Sequence, residues 1–253
     1  MIEIRTLTKK YGEFTAVDNL TLDVRPGEIV GFLGPNGAGK TTTIRILVGL
    51  SVPTAGEVRV GGFSLATDAN RAKAITGYIP DRPYLYEKLT GREYLQFVTD
   101  LYRKDRAASE RRSSELLTLL DLGDWVDSRI ENFSHGMKQK LVIIGALAYE
   151  PQVLIIDEPM VGLDALAQRQ VRKLLRAEAD AGRTILLTTH TMSIAEAVCD
   201  RIAILHRGKV VASGTTDELK RAAGQPGSPL EDVFLSLTFD DVNANGPQID
   251  DAR

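Results

Sequence analysis

The segment Gly34-Pro35-Asn36-Gly37-Ala38-Gly39-Lys40-Thr41 satisfies the pattern G-x-x-x-x-G-K-[ST] at every fixed position. Its glycines let successive backbone N–H groups turn inward as an anion nest, and the helix expected near Thr41 aims its positive end at the same point. The chemistry that suits such a loop is phosphate binding. Lys40 then reaches the β- and γ-phosphates of a nucleotide, and the Thr41 hydroxyl ligates Mg²⁺. Thr42, next along the chain, is counted with residues 34–41 as nucleotide-binding. A phosphate loop also needs a carboxylate on the metal side, and Asp157, closing the apolar run VLIID, is the natural candidate. Glu158 beside it is suited to act as the general base that orients and deprotonates an attacking water. Together these residues imply nucleotide hydrolysis, not its purpose.

Those groups must be held by strands and helices. The run EIVGFL at 28–33 leads into the glycine loop, and TTTIRILVGL after it has helical apolar spacing at Ile44, Leu47 and Val48. Further β-rich runs are IEIRTL at 2–7, LTLDV at 20–24 and EVRV at 57–60, with Pro26-Gly27 as a turn. From about residue 91 the texture becomes charged and helical, in GREYLQFVTDLYRKD and RRSSELLTLLDL, and reads as a helical insert. Strand signals return in VLIID at 153–157, TILLTT at 184–189 and IAIL at 202–205, alternating with helical stretches such as ALAQRQVRKLLRAEAD. Short apolar strands alternating with helices predict a mostly parallel sheet covered on both faces. The expected division is a core of 1–90 and 150–215, a helical subdomain of 91–149, and a C-terminal extension of 216–253. In that extension GQPGSP is a linker-like turn, LEDVFLSL a short amphipathic helix, and the acidic residues from about Asp240 a frayed tail.

Composition narrows the setting. The chain has 253 residues, 31 Lys and Arg against 34 Asp and Glu, a net charge of −3, and 43% hydrophobic residues. Such a balance argues against binding nucleic acid by bulk phosphate neutralisation. Cys199 is the single cysteine, so no internal disulfide is expected and a reducing cytosol fits. The start, MIEIRTLTKKYG, has no signal-peptide core, and the apolar run 141–149 falls far short of the roughly 18 residues a membrane span needs. Any work at a membrane requires a spanning partner.

Beyond these motifs, the chain resembles the nucleotide-binding subunits of ABC transporters. Tyr11, the phosphate loop, GYIPDRPYLYEKLTGREYL, the signature-like FSHGMKQK, VLIIDEP, VGLD and His190 after TILLTT occur in that family's order through most of the sequence. The resemblance implies an α/β fold: a P-loop NTPase core with a mostly parallel sheet, an N-terminal antiparallel β subdomain and an inserted helical subdomain. It implies that Tyr11 stacks on adenine, and that Ser134 and Gly136 contact the γ-phosphate of ATP held by an opposite subunit. Two chains, as a homodimer or related heterodimer, would thus sandwich two nucleotides. Asp164 would lie at the dimer seam, and His190 would bond the γ-phosphate and hold the attacking water. ATP binding would close the dimer and hydrolysis would open it. Read alone, Ser134 and Asp164 are equally good helix N-caps, the two roles being compatible for Asp164. His135 and His206 are read as solvated or structural.

Some positions depart from the family pattern. Asp81 stands where glutamine is usual, and the expectation is that it keeps a metal-linked role. In the signature, His135 replaces a glycine and Met137 a glutamine, while Met160 replaces a common threonine. With Lys40, Thr41, Asp157, Glu158 and His190 all present, these read as drift within an active ATPase. LYEKLTGREYL and PLEDVFLSLT resemble ATPases paired with separate permeases in bacterial exporters of drugs, lipids and polysaccharides. The expectation is therefore a peripheral subunit on the cytoplasmic side of the cell membrane, using ATP and Mg²⁺ and binding integral membrane permeases near 81–89, without nucleic acid. The alternatives are a DNA-repair or chromosome ATPase, a translation-associated ATPase and a regulatory module without turnover. The first two lack their usual coiled coil or second cassette here.

Overall fold

The computed structural model describes residues 1–244. In chain order the elements are β1 (Ile2–Tyr11), β2 (Phe14–Val24), β3 (Ile29–Leu33), α1 (Lys40–Leu47), β4 (Ala55–Val60), β5 (Phe63–Ser64), α2 (Ala69–Ala74) and β6 (Thr76–Ile79). The helices α3 (Gly91–Leu101), α4 (Arg106–Leu119) and α5 (His135–Ala148) follow. Then come β7 (Val153–Asp157), α6 (Ala165–Asp180), β8 (Thr184–Thr188), α7 (Met192–Val198), β9 (Arg201–His206), β10 (Lys209–Gly214), α8 (Thr216–Ala222) and α9 (Leu230–Ala244).

Two sheets result. One is antiparallel in the order β2-β1-β4-β5; the other runs β10-β9-β3-β8-β7-β6 and is parallel except for the β9–β10 hairpin. All residues of β3, β7 and β8 are buried, as strands covered on both faces require. Alternation sorts their side chains. Ile29, Leu154, Ile156, Ile185 and Leu187 face a core shared with α5 and α6, whereas Val30, Phe32, Val153, Ile155 and Leu186 face α1 and the antiparallel sheet. A third cluster joins Leu33, Ile202 and Ile204 to Leu219, Leu230, Val233 and Phe234, so the C-terminal extension packs on the core.

The helical insert is α3, α4 and α5, entered through a capping box in which Thr90 and Glu93 exchange bonds. A buried charged contact is among those that tie it to the core. Glu178 on α6 is 3% exposed and receives Arg112 from α4 and Arg183, the latter at 2.7 Å. A carboxylate this buried is tolerable only with such partners.

Several elements differ from the sequence expectation. β1 and β2 extend to a shared turn at Gly12-Glu13, and β6 and β10 were not anticipated. α9 continues past Asp240 to Ala244, and the rest of the expected acidic tail lies outside the described residues.

Candidate nucleotide site

The phosphate loop joins β3 to α1, and backbone proximity dictates its glycines. A Cβ on Gly34 would lie 2.6 Å from the Leu205 carbonyl oxygen, and one on Gly39 2.6 Å from that of Ala16. Gly39 also has φ +105°, so no other residue fits there without strain. It is the N-cap of α1 and provides no side-chain cap, leaving first-turn amides open to an anion.

A cleft of about 360 Å³ opens over this helix end. Its walls include Asn36 through Thr42 together with Asp81, Asp157, Glu158 and His190, so residues far apart in sequence meet here. Lys40 Nζ donates to the Gly34 and Pro35 carbonyls at 2.5 and 3.1 Å. Burial lowers its pKa, against the raising influence of Glu158 and Asp157.

Asp157 ends β7 directly beside Thr188 of β8, whose hydroxyl donates to its carboxylate. Burial pushes the Asp157 pKa up, the Thr188 bond and Lys40 oppose this, and Asp81 adds to it. Glu158 has φ +49°, a left-handed backbone costing about 1–3 kcal/mol for a non-glycine residue. This turn aims its carboxylate at His190, whose Nδ1 lies 2.8 Å from Oε1.

The donors fit a hard cation. Thr41, Asp157 and Asp81 offer only oxygen, the set Mg²⁺ prefers. Among the described residues no group of three or more His, Cys, Asp or Glu could hold a metal ion by itself.

Ser134, Gly136 and Asp164 are not in this cleft. Ser134 caps α5, accepting from Met137 N at 3.2 Å, and Asp164 caps α6, accepting from Ala167 N at 2.8 Å. The two turns touch, since a Cβ on Gly136 would lie 2.9 Å from the Gly162 carbonyl oxygen. His135 is exposed, with its ring against Gly162, and His206 ends β9 with both ring nitrogens buried and unpartnered. Tyr11 also lies outside the cleft lining, which instead contains Phe14 and Ala16 of β2. Sequence reasoning missed these two, although Tyr-Gly-Glu-Phe carries the signal of a two-residue hairpin turn that sets Tyr11 opposite Phe14.

The profile of the ABC transporter family matches residues 17–161, a stretch that begins beside Ala16 and includes the phosphate loop, Ser134 and Glu158. The chain belongs to the ABC transporter family. Among family members, the ABC-type transporter ATP-binding protein EcsA of Bacillus subtilis is 36% identical over 96% of this chain and 98% of its own length. The probable multidrug ABC transporter ATP-binding protein YbhF of Escherichia coli is 37% identical over 95% of this chain, which spans only 42% of that relative's length. A solved ATP-binding subunit of an ABC transporter superposes with TM-score 0.90 at 38% identity, covering 94% of this chain and 99% of its own. The dimeric ABC transporter cassette MJ0796 gives TM-score 0.77 at 27% identity, covering 85% and 98%. The α/β fold expected from the family, with its antiparallel and helical subdomains, is the one observed. Among the described residues no helix is long and apolar enough to cross a membrane.

Proposed function

We propose that this chain is the ATP-binding and ATP-hydrolysing subunit of an ABC membrane exporter, working as one half of a nucleotide sandwich. The observation that carries this reading is the Glu158–His190 pair at 2.8 Å in the same cleft as Lys40 and the uncapped end of α1. Backbone amides of Gly37 through Thr42 cradle the phosphates, and Lys40 exchanges its carbonyl partners for phosphate oxygens. Thr41 and Asp157 would hold Mg²⁺, with Asp81 as a further ligand, and the ion would supply positive charge beside the phosphates. Glu158 takes the proton of the attacking water, while His190 orients Glu158 and reaches the γ-phosphate. The base end of the nucleotide faces the β1–β2 turn carrying Tyr11 and Phe14.

Ser134, Gly136 and Asp164 then serve the nucleotide of a second ATP-binding subunit, a reading supported by the dimeric assembly of the MJ0796 cassette. Binding would close the two subunits and hydrolysis would part them, as a ligand with different affinity for two states must. Permease subunits would dock near residues 81–89, where Tyr84 is 80% exposed and Tyr86 packs edge-on against Phe97. Export is favoured by relatives named for it, such as the Nod factor export ATP-binding protein I of Paraburkholderia xenovorans, 39% identical over 92% of this chain. The chain would thus sit peripherally on the cytoplasmic face.

Expression with candidate permeases, followed by membrane co-purification and ATPase assay, tests this reading. A membrane-bound complex whose turnover vanishes in Glu158→Gln while ATP binding persists is the expected outcome. A chain found wholly in the soluble fraction, or normal turnover by Glu158→Gln, would overturn it.

A further inference from the structure

The helices α3 and α4 are joined by a short link, residues 102–105, so they run antiparallel and face each other along their length. Between them lies a hollow of about 230 Å³, several times the roughly 30 Å³ share of one water. It has no lining residue in common with the nucleotide cleft. α4 turns Arg106, Ser109, Ser113 and Leu117 toward it, the three- and four-residue steps of a single helix face. Leu95 of α3 and Val126 join Leu117 as its apolar part, and all three are buried.

Ser109 and Ser113 set this hollow apart from a loosely packed helix pair. They are only 4% and 8% exposed. A serine or threonine inside a helix commonly returns its hydroxyl to a carbonyl one turn back. Thr99, Ser114 and Thr118 do so, at 3.0, 2.9 and 3.0 Å. The Ser109 and Ser113 hydroxyls have no such partner among the described residues, and both line the hollow. A hydroxyl withdrawn from bulk water without a partner is costly, so what fills the hollow must supply an acceptor.

The charges around the hollow set the sign of that acceptor. Arg92 and Arg106 line it against a single carboxylate, Glu110. Arg106 meets Glu110 at 3.0 Å with the two side chains 66% and 65% exposed, so the pair contributes little and the guanidinium is free to take another anion. Arg92 begins the antiparallel helix and therefore stands at the opposite end, held by Asp127 through bonds of 2.6 and 3.0 Å.

We propose that the hollow between α3 and α4 binds a small organic carboxylate with an apolar body. The carboxylate accepts from Arg106, Ser109 and Ser113, displacing Glu110, and the body lies on Leu95, Leu117 and Val126. Binding here is separate from the nucleotide and does not depend on hydrolysis.

Three probes separate the parts of this recognition in the full chain: benzoate, benzyl alcohol, which keeps the ring without the charge, and acetate, which keeps the charge without the ring. Calorimetry gives the affinities, and amide NMR shifts locate the site. Benzoate should bind saturably and shift amides of α3 and α4 rather than those of residues 34–42, with the other two probes at least about tenfold weaker. Arg106→Gln, and Ser109→Ala combined with Ser113→Ala, should each weaken benzoate about tenfold while ATP affinity stays unchanged. Glu110→Gln should tighten benzoate binding by freeing Arg106, a gain that a merely structural ion pair would not give. Absence of saturable benzoate binding, equal binding of benzyl alcohol, or shifts confined to residues 34–42 would overturn the proposal. Wild-type benzoate affinity in both the Arg106→Gln and the double-serine variants would overturn it as well.

Discussion

Two helices of this chain present their N-termini to phosphate in the proposed mechanism, and they are built differently. At α1 the N-cap is Gly39, no side chain closes the first turn, and the surrounding walls carry Lys40, Asp157, Glu158 and His190. At α5 the Ser134 oxygen already accepts from Met137 N, and none of the cleft residues is near it in sequence. The first end is unfinished without an anion; the second is a satisfied helix start. A serine that accepts from its own helix still has a hydroxyl proton to donate. Under the proposed mechanism, one region is a site in the single chain, whereas the other would become part of one only against a second copy.

The contrast can be broken experimentally. Glu158→Gln should lower turnover by about 10²–10⁴-fold with ATP affinity retained, since it removes the base and leaves the cradle. Residual turnover near wild type, measured by phosphate release, would move the base elsewhere. His190→Ala should cost roughly 10²-fold by releasing the Glu158 carboxylate from its 2.8 Å partner. Ser134→Ala should reduce turnover about tenfold, the worth of one bond to a charged group, without altering the first nucleotide's binding to the monomer. It should also cost about 1 kcal/mol of stability as a lost N-cap, read by denaturant unfolding. Mixing Ser134→Ala chains with Lys40→Ala chains sharpens the comparison, because a mixed dimer regains one intact composite site. No recovery above either variant alone would mean that α5 does not act across subunits.

The smallest effect concerns Asp157. Burial raises the Asp157 pKa, so the folded chain carries a penalty at neutral pH for keeping it ionised. Asp157→Asn should therefore raise the melting temperature of the nucleotide-free protein while weakening Mg²⁺-dependent ATP binding. A raised carboxyl pKa makes the penalty full above the folded value and relieves it as pH falls through that value. The gain should thus shrink on acidification, and a gain that grew would contradict the assignment.

Parts of this arrangement are readable without coordinates of any kind. The strand β7 and the helix α6 coincide with VLIID and ALAQRQVRKLLRAEAD because an unbroken apolar run and a 3.6-residue period leave no competing assignment. The strand β6 is four residues with a glycine inside, TGYI, and gains its identity only by pairing with β7. The strand β10 is half-exposed and depends on β9 in the same way. Within the cleft, the loop and the two acids after β7 follow from local pattern. The meeting of Asp81, Glu158 and His190 is a product of strand order and was reachable from sequence only through family resemblance. Phe14 reaches the cleft through a cross-strand pairing with Tyr11 that exists only once β1 and β2 are joined at their turn.

The grip of Lys40 on the Gly34 and Pro35 carbonyls bears on how the cycle repeats. If the chain hydrolyses ATP as proposed, the ammonium would find replacement oxygens in its own loop after product leaves rather than stand bare in a half-buried site. On that reading, emptying and refilling would exchange one set of acceptors for another at Lys40. A lysine that its own loop satisfies between nucleotides would be kept from adding to the costs already carried by Glu158 and Asp157.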